Sequence, residues 1–82
     1  MKDYYYVYRL RSKVSPKEIY TGLTDDLEER VKKHNEGGSP HTAKWRPWEV
    51  EVAVAFSSRP KAVAFEKYLK SGSGREFARR HF

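Results

Sequence analysis

Two segments of this chain place a charged residue beside an apolar stripe, and that placement is where chemistry concentrates. Between Thr24 and Glu36 apolar residues recur with helical spacing. At about 100° per residue Leu27 and Val31 form a narrow stripe, and Arg30 and His34 flank it one turn apart on the same face. Glu28–Lys32 and Glu29–Lys33 are i,i+4 pairs that account for the solvated side. Arg30 has Asp26 as its one helical partner, so it is either a surface ion pair or a guanidinium turned toward a site. In the segment after Ser58, Ala62, Phe65 and Leu69 form a second stripe, with Glu66 set against it. A carboxylate there is costly unless it reaches water, pairs with Lys67 or Lys70, or binds a cation. Other constellations are missing: there is no HExxH, no paired Asp-x-Asp, no P-loop and no G-x-S-x-G. His34, His41 and His81 lack the spacing of a zinc site.

The elements that must position these groups follow from patterning. Tyr4 to Leu10 alternates as a strand, with Tyr4, Tyr6, Tyr8 and Leu10 on one face and Tyr5, Val7 and Arg9 on the other. Ser15-Pro16-Lys17 turns the chain, and Glu18 to Leu23 forms a second strand, which predicts an antiparallel hairpin. Thr24 or Asp25 is expected to cap the first helix, and Gly37-Gly38 to end it. Gly37 to Trp48, interrupted by Gly, Ser and two prolines, reads as a loop. Glu49 to Phe56 alternates again. Val50, Val52, Val54 and Phe56 share one face; Glu49, Glu51, Ala53 and Ala55 share the other, where small alanines leave room for a helix. Ser58 caps the second helix, with Pro60 in its first turn; Gly72 stops it, and Ser73 opens a last short helix through Arg80. The order ββαβαα predicts one α/β (α+β) domain over residues 1–82, a three-stranded antiparallel sheet flanked by helices.

Composition narrows the partners. The chain of 82 residues carries a net charge of +6. From Lys61 onward six Lys or Arg face two Glu, whereas residues 1–60 hold eleven basic and nine acidic groups, so the excess gathers at the C-terminal end. That favours an anionic partner, nucleic acid before a membrane surface. The absence of cysteine excludes disulfides and thiolate metal sites. Apolar runs fall far short of the roughly 20 residues that span a bilayer, and the start does not lead into a signal peptide. A cytoplasmic, monomeric protein without membrane contact is the expectation. Lys44, Trp45 and Arg46 interleave charge with aromatic surface, suited to phosphate contact and base stacking. Trp48, just before the third strand, is expected to be packed. Ser71-Gly72-Ser73-Gly74 offers backbone N–H groups at a helix start, and Lys70, Arg75 and Arg79 stand ready for phosphates nearby.

An ordered set of these residues resembles a known family. Tyr6-Val7-Tyr8, followed after the hairpin by Tyr20-Thr21-Gly22, is similar to the paired signature of the GIY-YIG nucleases. Thr24 through Asn35 resembles the helix that bears that family's catalytic arginine, and Arg59 through Gly72 its metal-binding helix. Gly74-Arg75-Glu76-Phe77 is similar to the small stand-alone branch related to the nuclease module of the excinuclease C subunit. The resemblance spans nearly the whole chain. It implies a GIY-YIG fold and a metal-dependent DNA endonuclease working in repair, recombination or processing. It further implies one Mg²⁺ or Mn²⁺ on Glu66, Arg30 bracing the phosphate, Tyr8 as general base, Tyr20 orienting water or sharing that role, and His34 bonding a phosphate or a tyrosine hydroxyl. An ordinary tyrosine titrates near 10, so Arg30, the metal or a lysine would have to favour the phenolate.

The chain departs from the pattern at three points. Tyr6 stands where the first motif has Gly, and Thr21 where the second has Ile. Many members also carry a C-terminal asparagine at the site, whereas Asn35 is the only asparagine in this chain. A non-catalytic nucleic-acid-binding module on the same fold is the alternative, and a protein-interaction domain the third. Metal-dependent cleavage separates the first from the other two. Steep salt dependence of binding separates nucleic acid from a protein partner, which in the nuclease reading would supply specificity.

Overall fold

The computed structural model describes residues 3–82. Strands β1 (Tyr5–Ser12) and β2 (Ile19–Thr24) form the expected hairpin, and β3 (Trp48–Phe56) adds on the far side of β1. All pairings are antiparallel and the order is β2-β1-β3, so β1 lies centrally. Helices α1 (Leu27–Asn35) and α2 (Pro40–Ala43) precede β3, and α3 (Arg59–Leu69) and α4 (Gly72–His81) follow it.

A central strand buries both of its faces, and here each face has its own core. Tyr8, Leu10 and Trp48 pack with Tyr20, Leu27, Val31 and Trp45 beneath α1. Val7, Ala62, Leu69 and Ala78 pack with Tyr5, Leu23, Phe56, Phe65, Phe77 and Phe82 on the α3–α4 side. The alternation predicted for β1 thus sorts its residues between two helical layers. No helix among the described residues is long and apolar enough to cross a membrane.

Four local expectations are corrected. The segment Gly37 to Trp48 is not all loop: Pro40 opens the single-turn helix α2, because its fixed φ and missing N–H suit a first turn. Asp26, rather than Thr24 or Asp25, caps α1 by accepting from the Glu29 N–H at 3.1 Å. The Thr24 hydroxyl instead accepts from the Asp26 N–H, which holds the cap in place. Ser71, not Ser73, caps α4, accepting from Gly74 N–H, so α4 starts at Gly72 itself. The Ser58 cap of α3 is as expected.

The fourth correction concerns β3. The register slips between Arg9 and Leu10, which pair with Val52 and Val50, leaving Glu51 as the extra residue of a bulge. Glu51 is held there by charge. Arg9 Nη1 lies 3.2 Å from its Oε2, and Arg11 Nε donates to Oε1 at 3.0 Å. Val50 therefore leaves the face of Val52 and Val54 and is 43% exposed. Ala53 and Ala55 are exposed as well, so the close helix contact expected over them is not made.

Candidate active site

Tyr8 lies at the middle of the central strand, directly opposite Gly22. Its side chain is fully buried. A Cβ on Gly22 would fall 2.5 Å from the Tyr8 hydroxyl and 2.9 Å from Tyr20 Cε2. Only glycine lets both phenols lie against this stretch of β2. That steric need explains why the second tyrosine motif ends as it does. Tyr20, His34 and Tyr8 form a three-ring cluster, with centroids 4.8 Å apart for Tyr20–His34 and 6.2 Å for Tyr8–Tyr20.

α1 brings His34 under this cluster as its one buried residue. The Tyr8 hydroxyl and His34 Nε2 are 3.0 Å apart, and His34 Nδ1 stands 2.8 Å from Thr42 Oγ1 in α2. Burial and the nearby Arg30 charge hold the His34 pKa below its ordinary value, so the ring is neutral at neutral pH. Tyr8 is pushed up to about 12. Burial is the chief cause and Tyr20 adds to it; the nearby Arg30 guanidinium pulls the other way, and Glu66 again raises it. The chain's own groups therefore do not by themselves favour a free phenolate. Arg30 helps, but dehydration outweighs it.

Arg30 on α1 and Glu66 on α3 both act on a hydroxyl carried by β1. Arg30 is exposed on its outer side and lines a cleft of about 220 Å³ with Tyr5, Leu23, Thr24 and Arg59. Arg59 was not among the residues expected to act. Its signal was the seven-residue spacing to Glu66, which puts both on one face of a helix. Thr42 offered no comparable signal, since its role exists only once α2 has formed. Asn35, the sole asparagine, bonds the Trp48 backbone, donating to its carbonyl at 3.1 Å and accepting from its N–H at 2.6 Å. It splices α1 to β3 and is spent there.

The residues expected to touch nucleic acid divide. Lys70 Nζ donates to Glu66 Oε2 at 3.2 Å, so the lysine belongs to the acid's immediate surroundings. Lys70 and Arg75 line a cleft of about 390 Å³ beside Tyr20, together with Arg9, Thr21 and Leu69. Arg75 has no ion pair among the described residues. Arg79 is held by Glu76 through two hydrogen bonds, at 3.0 and 2.6 Å, on the outer side of α4. Trp48 is buried and donates its indole N–H to the Thr42 carbonyl at 2.9 Å. Trp45 is half-buried against the same core, with Lys44 Nζ 5.3 Å from its ring centroid, while Lys44 and Arg46 themselves are exposed.

Residues 4–80 match the family described as the GIY-YIG catalytic domain. The chain belongs to the GIY-YIG family. Its two tyrosine motifs, arginine helix and glutamate helix all lie inside the matched span. A UPF0213 protein of Haloquadratum walsbyi is 38% identical over 72 residues, covering 87% of this chain and 79% of that relative. A structure-specific endonuclease subunit SLX1 of Debaryomyces hansenii is 40% identical over 75 residues, or 83% of this chain, but the match spans only 22% of that protein. The solution structure of a UPF0213 protein from Bacillus halodurans superposes with a TM-score of 0.56 at 34% identity, covering 93% of this chain and 80% of that one. The GIY-YIG sheet with its flanking helices is thus shared with a solved relative.

The donor set can be tested against a metal. No group of three or more His, Cys, Asp or Glu among the described residues could form a cage. Glu66 is a single, partly exposed carboxylate with Lys70 on one oxygen. One hard oxygen ligand facing solvent fits Mg²⁺ or Mn²⁺, which keep several waters and share phosphate oxygens. It does not fit an all-protein calcium or zinc site.

Proposed function

We propose that this GIY-YIG domain hydrolyses phosphodiester bonds in DNA, with one Mg²⁺ or Mn²⁺ held by Glu66. The observation that carries the reading is the buried hydrogen bond between the Tyr8 hydroxyl and His34 Nε2, with the charges of Arg30 and Glu66 both bearing on that hydroxyl. When bound, such a cation supplies Lewis-acid polarisation of the phosphate and stabilises the leaving oxygen. The remaining work falls to the chain's own groups.

Tyr8 is the general base, acting through its neighbour rather than as a free phenolate. As water attacks phosphorus, its proton passes to the Tyr8 oxygen while the phenolic proton moves to His34 Nε2. The water oxygen forms the new P–O bond as the bond to the leaving oxygen breaks. His34 then returns the proton to Tyr8, which hands it to the next water admitted to the site, and the leaving oxygen takes a proton from solvent. Tyr20, stacked in the same cluster, orients the water, and the planar fork of Arg30 braces the non-bridging oxygens as charge builds. Lys70 and Arg75 in the adjoining cleft take neighbouring phosphates.

The name of the fungal relatives, structure-specific endonuclease subunit, supports branched DNA as substrate and a partner protein that contributes specificity. Repair or recombination is the setting that such a substrate suggests. The test is cleavage of plasmid, single-stranded, flapped and branched DNA in Mg²⁺ or Mn²⁺, with Arg30→Ala and Glu66→Ala alongside. Metal-dependent cutting lost in both variants is expected. Cutting that survives Glu66→Ala would place the chemistry elsewhere.

A further inference from the structure

We propose that Thr42 is a positioning residue of this site: its hydroxyl fixes His34 in the Nδ1–H tautomer, which turns a lone pair on Nε2 toward Tyr8. The inference rests on the nuclease reading and adds to it a residue and an element, α2, that neither the tyrosine motifs nor the arginine and glutamate helices contain.

Two constraints meet on the imidazole from opposite sides. On the first side, the Thr42 hydroxyl has one proton to give, and it donates to the Ser39 carbonyl at 3.3 Å. With that proton on the Ser39 carbonyl, its oxygen presents lone pairs to His34 Nδ1, 2.8 Å away, and Nδ1 is the donor. On the second side, the Tyr8 hydroxyl is fully buried, and His34 Nε2 is its hydrogen-bond partner among the described residues. A buried O–H needs an acceptor. The phenolic proton is left with His34 Nε2, 3.0 Å away, as its acceptor. Both constraints select one tautomer, and it is the one in which Nε2 can receive a proton.

The clamp is rigid because Thr42 is itself held. Its carbonyl accepts from the Trp48 indole N–H at 2.9 Å and from the Trp45 backbone N–H at 3.1 Å. Tyr8, His34 and Thr42 are 0%, 2% and 1% exposed, so bulk water cannot substitute for any link. The aromatic segment after α2 is thereby tied to the orientation of the base, two residues of separation from the reacting water.

The experiment uses the full chain, labelled with ¹⁵N, and reads the His34 ring nitrogens by long-range ¹H–¹⁵N correlation at neutral pH. A protonated Nδ1 and an unprotonated Nε2 are expected; a protonated Nε2 overturns the proposal whatever the nuclease activity. Kinetics on branched DNA then compare Thr42→Ser with Thr42→Val. The serine variant should keep the tautomer and stay within about threefold of the parent, while the valine variant should lose about 10- to 100-fold in kcat with KM little changed. A valine variant that retains both the Nδ1–H ring and the parental rate overturns the assignment. If the valine variant does not fold by circular dichroism, Thr42→Ser decides: a serine variant that loses the Nδ1–H ring is the contrary result. A parent chain that cuts no DNA yet shows the Nδ1–H ring sinks the nuclease reading and leaves the tautomer clamp standing.

Discussion

The Tyr8 hydroxyl oxygen and His34 Nε2 stand 3.0 Å apart, a buried hydrogen bond that joins the central strand to α1 across 26 residues. Each partner is held in its neutral form, the phenol at about 12 and the imidazole below its ordinary value. A neutral O–H facing a neutral nitrogen is poised to pass its proton, and the imidazolium so formed is short-lived because burial and Arg30 disfavour it.

Removing one member tests that coupling. Tyr8→Phe keeps the ring that fills the core and deletes the hydroxyl alone. DNA cleavage should fall by roughly 10²- to 10⁴-fold, the usual contribution of a positioned base. Stability should fall by only about 1–3 kcal/mol, the cost of leaving His34 Nε2 unpaired. Single-turnover cleavage and urea unfolding read the two effects separately. A Tyr8→Phe chain that cuts like the parent would remove Tyr8 from the mechanism.

The depressed His34 pKa sets a pH dependence with a definite sign. Below the ordinary value of 6.5 the unfolded chain takes up a proton that the folded chain resists. The unfolded state then binds more protons, so stability rises with pH through this window and is lost as pH falls from 6.5 toward and past the folded-state value. Cleavage should follow the same direction, climbing as His34 becomes neutral and then staying level through neutral pH, since Tyr8 gives up its proton only near 12. NMR titration of His34 beside a pH–rate profile checks both. A His34 midpoint at or above 6.5 would contradict the burial argument.

Residues with local signals were legible in sequence, and residues defined by tertiary contact were not. Helical spacing alone placed Arg30 and His34 on one flank of α1, and Glu66 against the stripe of α3. Strand alternation sorted Tyr8 from Val7 between two cores. The bulge at Glu51 was invisible because it is set by cross-strand ion pairs with Arg9 and Arg11, which have no local pattern. Thr42 was passed over for the same reason: a one-turn helix opened by Pro40 looks like a broken loop until His34 is seen above it. The pairing of Lys70 with Glu66 was readable as an i,i+4 spacing, yet its neighbourhood with Tyr20 and Arg75 depends on the α3–α4 turn.

Gly22 yields a prediction in which sterics rather than charge decide. Its backbone is ordinary β-strand, so alanine costs nothing in conformation. The added Cβ, however, would press within 2.5 Å of the Tyr8 hydroxyl and 2.9 Å of the Tyr20 ring. The rings must shift, and overpacking of this kind costs about 1–3 kcal/mol. Gly22→Ala should therefore lower the urea midpoint and, because Tyr8 moves off His34, reduce cleavage further than the stability loss explains. Parental activity in a folded Gly22→Ala chain would show that the tight crossing is not needed.

Arg75 and Arg79 form a matched pair for testing where DNA lies. Arg75 lines the cleft beside Tyr20 without an ion pair among the described residues, whereas Arg79 is engaged twice by Glu76 on the outside of α4. A phosphate bound by Arg75 releases counterions, so Arg75→Ala should weaken DNA binding and lower the log–log salt slope by about 1. Arg79→Ala removes a cation already neutralised by its neighbour, and its slope should stay near that of the parent. Fluorescence anisotropy over a salt series, with catalytically silent Glu66→Ala as the common background, makes the comparison without cleavage. Equal slopes for the two variants would move the DNA path off the cleft between β2 and α4, because a phosphate track along that cleft must discharge Arg75 before it reaches Arg79.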